Sequence, residues 1–213
     1  MGTIEIENAG KCINGVWIFQ NITVSFPAGT ICGLIGRNGS GKTMLLKSIC
    51  GLCKLTEGSI FVQGKRIGID VDIPDSVGAI IEVPGFLPNI SGLSNLKYLA
   101  KLKNTINDDQ IRHTIRMVGL DPNSRKHVGK YSLGMRQRLG IAQAIMENPD
   151  ILLLDEPMNG LDSHGVRDVK DILDELRAGG KTILLASHHA DDIDELCDVV
   201  YKMEGGRLSK QYG

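Results

Sequence analysis

The sequence predicts an α/β fold: a parallel sheet covered on both faces, with an antiparallel β region before it and a helical lobe inserted into it. In the last third of the chain, apolar runs at 151–155, 182–187 and 199–203 alternate with helical segments, which is the pattern of a buried parallel sheet. Between 91 and 148 the apolar residues recur at helical spacing instead. Because the flanking β segments need each other to complete one sheet, the helical stretch is interpreted as an insertion.

The N-terminal part predicts short strands separated by turns. The sequence Pro-Ala-Gly at 27–29 predicts a turn, and a helix is expected over 44–50. Alternating or continuous apolar residues predict the strands, which are expected over 3–7, 21–26, 30–35, 58–64 and 77–82.

Three helices are predicted between 91 and 148. The third should begin at Ser132 and end before Pro149, because the residue that precedes a proline disfavours the α conformation. The first two are indicated by apolar residues at helical spacing, namely Leu93, Leu96, Leu99 and Leu102 in one and Ile111, Ile115 and Val118 in the other.

After Pro149 two more helices are expected, over 166–177 and 191–197. A length of 213 residues suits one domain. We therefore expect a single domain over 1–213, in which 1–85 and 149–213 form the core and 86–148 form the helical lobe.

Composition limits the kinds of partner. The formal net charge is -1 and aromatic residues make up 4% of the chain, so neither a basic surface nor base-stacking rings indicate nucleic acid. No window approaches the ~18 apolar residues that a membrane span needs, and the first residues alternate like a strand rather than a signal segment. A membrane role would need another subunit to supply the span. The odd number of cysteines, five, favours reduced thiols in a cytosolic protein.

The most specific motif is a G-x-x-x-x-G-K-T segment between a predicted apolar strand and a predicted helix. Its glycines let backbone N–H groups converge on phosphates, and the start of the helix adds partial positive charge. Lys42 is expected to reach the β- and γ-phosphates of a nucleotide, and the Thr43 hydroxyl to bind Mg²⁺. The predicted nucleotide-binding loop, or P-loop, consists of Gly36, Arg37, Asn38, Gly39, Ser40, Gly41, Lys42 and Thr43.

Two acids, Asp155 and Glu156, follow four apolar residues at the C-terminal end of a predicted buried strand. Ligands of open α/β sheets bind at that edge. Beside a P-loop, Asp155 is expected to hold the Mg²⁺ of the nucleotide, and Glu156 to orient or deprotonate the attacking water. Taken alone, the pair would fit a strand that ends in two solvated acids equally well.

The sequence Tyr-Ser-Leu-Gly-Met at 131–135 has two interpretations. Ser132 precedes an apolar-periodic run, so it fits the N-cap of a helix. A serine hydroxyl and the free N–H groups of a helix start can also bind a phosphate. The residues alone leave both interpretations open.

These motifs, in this order, resemble the ABC ATPase family over essentially the whole chain. The signature of that family is usually L-S-G-G-Q. Here Ser132 and Gly134 match it, whereas Leu133 and Met135 stand where the first glycine and the glutamine are usual. The resemblance implies that this segment binds a nucleotide held by a second copy of the chain.

Two further segments resemble the family. Asn-Gly-Leu-Asp at 159–162 is similar to its D-loop and ends in Asp162. His188 is similar to its switch histidine, and is preferred to His189 because it directly follows the strand predicted at 182–187. The resemblance implies that Glu156, His188 and Lys42 carry catalysis, with ATP and Mg²⁺ bound.

Two positions depart from the family pattern. At the entry to the helical lobe, where glutamine is usual, this chain has Glu82, which we expect on the Mg²⁺ side of the nucleotide. The ring that stacks on adenine in the family should fall near Ile13, which is not aromatic, and Trp17 is the nearby ring that could substitute for it. Glu82 and the sequence of residues 131–138 resemble those of one branch of the family. That branch comprises bacterial exporters that give self-protection against lantibiotics and bacitracin-like peptides.

The resemblance implies an ATP-hydrolysing subunit that docks head to tail with a second copy and drives a separate membrane-spanning permease. It would be cytoplasmic and peripheral on the inner face of the cell membrane. By branch, its transporter would export an antimicrobial peptide, a lipid or a drug, although contacts to cargo belong to the permease. The alternatives are the ATPase of an ABC importer, a non-transport ABC ATPase, a nucleotide kinase, and an inactive nucleotide-binding module.

Overall fold

The computed structural model describes residues 3–189 and 193–213. In that part of the chain there are ten strands, five α-helices and one 3₁₀ turn at Val128–Lys130. The strands are β1 (Ile4–Ile13), β2 (Val16–Phe26), β3 (Ile31–Ile35), β4 (Glu57–Val62), β5 (Lys65–Arg66), β6 (Val77–Ile80), β7 (Ile151–Asp155), β8 (Thr182–Ser187), β9 (Val199–Glu204) and β10 (Arg207–Tyr212). The helices are α1 (Lys42–Ile49), α2 (Gly92–Lys103), α3 (Asp108–Met117), α4 (Leu133–Ile145) and α5 (Ser163–Ala178).

The strands form two sheets. One is antiparallel, with the order β2-β1-β4-β5. The other has the order β10-β9-β3-β8-β7-β6, in which β10 is antiparallel and the remaining five strands are parallel. The segments that follow β3, β6, β7 and β8 therefore leave the sheet at one common edge, where α/β proteins bind ligands.

The parallel sheet is the middle layer of the molecule. On β7, Leu152 and Leu154 belong to a core shared with α2, α3, α4 and α5, whereas Ile151 and Leu153 belong to a core shared with α1 and the antiparallel sheet. This alternation follows from the two-residue period of a strand. Because both faces are covered, all of β7 is buried, which explains its uninterrupted apolar sequence.

The predicted α/β fold is confirmed, and the prediction of β strands is incomplete at three places, one of which is the short strand β5 (Lys65–Arg66). β1 and β2 extend to a tight turn at Asn14 and Gly15, whose φ values are 50° and 80°. An Asn-Gly pair suits such a hairpin because both residues tolerate left-handed backbone. β10 was not predicted, since its residues are mostly exposed and polar and no apolar alternation marks it.

The start of α4 agrees with the sequence prediction, whereas α1 and α5 begin at Lys42 and Ser163, before the predicted 44 and 166. Ser132 is the N-cap of α4, as expected, and its hydroxyl accepts a hydrogen bond from the Met135 N–H at 3.1 Å. On α2, Leu96 is fully buried but Leu102 is 82% exposed. A row spaced by three residues drifts around a helix of 3.6 residues per turn, so its last member faces solvent.

The predicted helix over 191–197 begins outside the described residues, which resume at Ile193. Among the described helices, none combines the length and the apolar character that a membrane crossing requires. The division into a core and a helical lobe remains a prediction.

Candidate functional site

The P-loop occupies the turn from β3 into α1, and its glycines are required by close contacts. A Cβ at Gly36 would lie 2.4 Å from the Met203 carbonyl oxygen, and Gly41, the N-cap of α1, has a φ of 109°. In the part of the chain that the structure describes, no side chain caps the start of α1. The Ser40 hydroxyl is buried without a hydrogen-bond partner among the described residues. Free N–H groups and an unpaired hydroxyl at a helix start are suited to an anion such as a phosphate.

Lys42 is the buried cation of the loop. Its side chain is only 5% exposed, and its Nζ donates to the Gly36 carbonyl at 2.6 Å and to the Arg37 carbonyl at 3.4 Å. Burial lowers the pKa of the Lys42 ammonium, and the nearby Glu156 and Asp155 charges oppose that shift. The ammonium is therefore held where an anionic ligand would replace its lost hydration.

Thr43 and Asp155 are brought together from α1 and the end of β7. The Thr43 hydroxyl donates to Asp155 Oδ2 at 2.6 Å. Asp155 is 7% exposed; burial raises the pKa of its carboxyl, and the Thr43 hydrogen bond partly offsets this. A hydroxyl and a carboxylate at hydrogen-bond distance present two oxygen ligands to one point in space.

Glu156 follows Asp155 with left-handed backbone, at a φ of 51°, and its N–H donates to the Ala186 carbonyl at 2.8 Å. Its carboxylate is held by two residues at the end of β8. Oε1 lies 2.8 Å from His188 Nδ1, and Oε2 accepts from the Ser187 hydroxyl at 3.4 Å. His189 packs its ring on that of His188, with the ring centroids 3.9 Å apart. Of the two histidines, His188 contacts the candidate base.

Glu82 lies beyond the end of β6 with a φ of 62°, so the predicted strand over 77–82 ends before it. Its carboxylate forms an ion pair with Lys47 at 2.6 Å. Lys47 was not predicted as a site residue. A sequence signal was available, because Lys47 lies one helical turn after Thr43 on α1 and so faces the same way.

The P-loop and these acids enclose a cleft of about 380 Å³. Ile18 of β2 also lines it, and sequence analysis missed that residue. Ile13 and Trp17 are 39% and 42% exposed and are not among the lining residues, so a role for either at the base remains a prediction. The cleft is lined by Ile18, Asn38, Gly39, Ser40, Gly41, Lys42, Thr43, Met44, Lys47, Glu82, Asp155 and Glu156.

The signature and D-loop segments lie together at a different place. Ser132, Leu133, Gly134, Met135 and Asp162 border a hollow of about 660 Å³ and do not line the P-loop cleft of the same chain. A Cβ at Gly134 would lie 3.0 Å from the Gly160 carbonyl oxygen, so the two segments are in close contact. Asp162 caps α5 by accepting from the Gly165 N–H at 2.8 Å.

The donor groups in the cleft fit Mg²⁺ and a polyphosphate. Mg²⁺ prefers carboxylate and hydroxyl oxygens, and it is usually held by one or two protein ligands together with substrate phosphates. Thr43, Asp155 and Glu82 supply oxygens of that kind on one side of the cleft. Lys42 and the unpaired Ser40 hydroxyl supply the donors that phosphate oxygens need.

Sequence comparison identifies relatives over nearly the full length. The family described as ABC transporter matches residues 19–159, well over half of the chain. An uncharacterized ABC transporter ATP-binding protein of Bacillus subtilis, YybJ, is 49% identical over 205 residues, which cover 96% of this chain and 94% of that protein. The bacitracin transport ATP-binding protein BcrA of Enterococcus faecalis is 39% identical over 98% of this chain and 68% of its own length. The lantibiotic transport ATP-binding protein SrtF of Streptococcus pyogenes is 33% identical, over 98% of this chain and 91% of its own length.

Structural comparison agrees on the fold. A solved ATP-binding cassette, described as a dimeric post-hydrolysis state bound to ADP and Pi, superposes with a TM-score of 0.87 at 21% identity, over 99% of both chains. A second ATP-binding subunit of an ABC transporter gives the same TM-score at 24% identity, over 99% of this chain and 90% of that one. Together with the family match and the identity to YybJ, the P-loop, the paired acids and the histidine described above lead to one conclusion: this chain belongs to the ABC transporter ATP-binding proteins and is a nucleotide-binding ATPase subunit.

Proposed function

We propose that this ATPase works as a head-to-tail dimer on the cytoplasmic face of a separate membrane-spanning permease and drives export of an antimicrobial peptide, a lipid or a drug. The observation that carries the proposal is the joining of Lys42, Thr43, Asp155 and Glu156 at one sheet edge, with His188 on the Glu156 carboxylate. Each of these residues has a chemical role that its surroundings support.

Binding of the triphosphate is assigned to the P-loop. The N–H groups at the start of α1 and the Ser40 hydroxyl would donate to phosphate oxygens, and the Lys42 ammonium would exchange its carbonyl partners for the β- and γ-phosphates. Gly36 and Gly41 permit the loop to keep this conformation, since a Cβ at either position would lie within 2.7 Å of Met203. These contacts recognise the phosphate groups and do not depend on the base of the nucleotide.

Mg²⁺ is assigned to Thr43, Asp155 and Glu82. When bound, the ion would neutralise charge on the transferred phosphate. The chain's own contribution is to keep oxygen ligands ready, with Asp155 oriented by the Thr43 hydroxyl and Glu82 by Lys47.

Glu156 is assigned as the general base. Its carboxylate lies beside the P-loop cleft and would accept the proton of the attacking water. His188 Nδ1 at 2.8 Å and the Ser187 hydroxyl at 3.4 Å restrict the carboxylate to one orientation. A base that is already held in one orientation lowers the entropic cost of reaching the transition state.

The second copy is supported by the separation of the two concave surfaces within one chain. Ser132 and Asp162 border a hollow that does not include the P-loop. A phosphate bound at the P-loop would therefore not lie in the hollow beside the signature of the same chain. In a head-to-tail dimer, the signature of each copy would cover the P-loop of the other. Nucleotide that binds the closed dimer better than the open one would shift the population towards closure.

The class of cargo rests on the names of the relatives, and the export direction rests on the resemblance to the self-protection exporter branch. BcrA is named for bacitracin transport and SrtF for lantibiotic transport, and both match 98% of this chain. A permease partner is implied by the same names. On this basis we assign the cargo to peptide antibiotics or compounds of similar amphiphilic character.

The test is the Glu156→Gln variant, with Glu175→Gln on the exposed face of α5 as its control. Glu156→Gln should bind ATP normally, lose nearly all phosphate release and elute as an ATP-bound dimer in size-exclusion chromatography. The control should match the parent. Substantial turnover by Glu156→Gln would remove that residue from the role of general base.

The transport assignment is tested separately in cells of the source organism. A strain that lacks this chain should be more sensitive to bacitracin or to a lantibiotic, and the parent gene, but not Glu156→Gln, should restore resistance. Unchanged sensitivity to both would contradict the export assignment while leaving the ATPase intact.

A further inference from the structure

Gln137 of α4 reaches the backbone of the candidate base. Its side chain is 8% exposed, and its Nε2 donates to the carbonyl oxygen of Glu156 at 3.2 Å. The amide must present its NH₂ group there, since an amide oxygen would repel the carbonyl. Gln137 thus connects a helix of the predicted lobe to the residue that follows β7.

The Glu156 backbone needs such support. A φ of 51° is unfavourable for a residue other than glycine and persists where the surroundings hold it. The Ala186 carbonyl binds the Glu156 N–H at 2.8 Å, and the Asn159 N–H binds its carbonyl at 3.1 Å. Gln137 adds the second donor to that carbonyl, from an element other than the turn itself.

The orientation of this peptide decides where the carboxylate lies. The Cα–Cβ direction of Glu156 follows from its backbone, and the carboxylate must meet His188 Nδ1 at 2.8 Å. A shift of the Glu156 backbone would move the carboxylate relative to His188 and to the P-loop cleft. Loss of the Gln137 donor would leave the Asn159 N–H and the fixed φ of Pro157 as local restraints, and would permit a small shift without removing any group from the cleft.

The same helix begins at the signature. Ser132 caps α4, and Gly134 in its first turn packs against the Gly160 carbonyl. Gln137 lies five residues after Ser132, about 7.5 Å along the helix axis at 1.5 Å per residue. One helix therefore carries both the signature and the support of the chain's own Glu156.

We propose that Gln137 is a positioning residue that holds the Glu156 carboxylate of its own chain in register for hydrolysis. The inference deepens the proposed function and rests on Glu156 as the base. Because Ser132 is assigned to the nucleotide of the second copy, α4 then connects the phosphate contact at one site to the base at the other.

The first test compares Gln137→Met with Gln143→Met. Both replace a glutamine of α4 by an apolar side chain of similar length, but Gln143 lies by the edge strand β6 and makes no described contact with Glu156. Loss of one hydrogen bond that positions the base should lower kcat about tenfold. KM and the equilibrium affinity for ATP should stay within about twofold, because the phosphate contacts are unchanged. Gln143→Met should keep the parent kcat.

A second variant separates the donor from the shape. Gln137→Glu keeps the side-chain outline and replaces the donor by an acceptor facing the Glu156 carbonyl, so kcat should fall at least as far as in Gln137→Met. If either variant keeps the parent kcat, or if affinity for ATP falls as much as kcat, the positioning role is wrong.

Mixed dimers show in which copy Gln137 acts. A parent chain paired with Glu156→Gln has one competent base and sets the reference rate. Gln137→Met in the chain with the competent Glu156 should lower that rate about tenfold. Gln137→Met in the Glu156→Gln chain should leave it unchanged, although that chain supplies the signature to the active site.

Equal loss in the two arrangements would mean that the substitution disturbs α4 as a whole, which overturns the inference. If mixed dimers do not form with ATP, the proposed assembly is wrong, and the kcat and KM of the single variants alone decide the role of Gln137.

Discussion

The hydrogen bond from Thr43 to Asp155 should be stronger than an ordinary side-chain hydrogen bond, and Thr43→Val removes it. The donor and acceptor are 2.6 Å apart, and the acceptor is a carboxylate that is 7% exposed. Hydrogen bonds to charged groups contribute about 1.5–3 kcal/mol, against about 0.5–1.5 kcal/mol for neutral pairs. Valine has nearly the same shape and helix propensity as threonine, so the lost donor dominates the change.

A matched control exists on α3. Thr114 is 6% exposed, and its hydroxyl donates to the neutral Gln110 carbonyl at 3.0 Å. Thr114→Val should lower the free energy of unfolding by about 0.5–1.5 kcal/mol, and Thr43→Val by about 1.5–3 kcal/mol, at pH 7 without nucleotide or Mg²⁺. Urea titrations followed by circular dichroism give both values, provided that the slopes agree.

The two variants should also differ in pH dependence. Burial raises the folded-state pKa of Asp155 above its ordinary value of 3.8, and the Thr43 hydrogen bond lowers it; the valine variant therefore has the higher folded pKa. A raised folded pKa gives stability that is complete below the unfolded value and is lost as pH rises through the folded value. The loss of stability caused by Thr43→Val should thus be larger at pH 7 than at pH 4, whereas the loss caused by Thr114→Val should be the same at both. Equal deficits, or a Thr43→Val deficit that is independent of pH, would refute this reasoning.

Three further predictions concern the ligand. Lys42→Ala should fail at the binding step, so a titration with a fluorescent ATP analogue should show little affinity; unchanged affinity would contradict the assigned phosphate contacts. Glu82→Gln removes an exposed carboxylate whose ion pair with Lys47 contributes at most about 1 kcal/mol to stability, so folding should change little, but ATP affinity should depend less steeply on Mg²⁺ than in the parent. Identical Mg²⁺ titrations would exclude a role for that carboxylate. Among the described residues, no aromatic side chain lines the cleft, and base stacking contributes about 1–3 kcal/mol where it occurs, so kcat/KM for GTP should lie within about tenfold of that for ATP. A strong ATP preference that disappears in Trp17→Ala would instead assign the base cover to the tryptophan.

The parts of the site that the sequence predicts are those set by local spacing. Eight consecutive residues define the P-loop, and a buried strand followed by Asp155 and Glu156 fixes two acids at a sheet edge. Ser132 marks the start of α4 because an N-cap is a local preference. In each case the information lies within about one helical turn or one strand.

The remaining contacts join residues that are distant in sequence. Lys47 meets Glu82 across 35 residues, and Gln137 meets Glu156 across 19. Ile18 of β2 lines the cleft together with α1 and the end of β7, elements that are distant from it in sequence. Such contacts depend on how the helical segments and the hairpin dock on the sheet, so tertiary packing rather than local pattern determines them.

Two charged residues of the cleft, Lys42 and Asp155, contact uncharged partners among the described residues, whereas Lys47 and Glu82 pair with each other. Lys42 donates to the carbonyls of Gly36 and Arg37, and Asp155 accepts from Thr43, although an ammonium and a carboxylate lie in the same cleft. Burial lowers the pKa of Lys42 and raises that of Asp155, so burial disfavours the charged form of both.

The directions of these two pKa shifts indicate the pH range in which burial of charge destabilises the fold. For Asp155, with its raised pKa, stability is lost as pH rises through the folded value; for Lys42, with its lowered pKa, stability is lost as pH falls through the folded value from above 10.5. Between the two folded values both groups are charged and incompletely solvated. Phosphate oxygens at Lys42 and a cation at Asp155 would offset the cost of burying the two charges. Mg²⁺ and ATP bound together should therefore stabilise the fold more than the sum of their separate effects. If Mg²⁺ and ATP bind the closed dimer better than the open one, this binding free energy would favour the proposed closure.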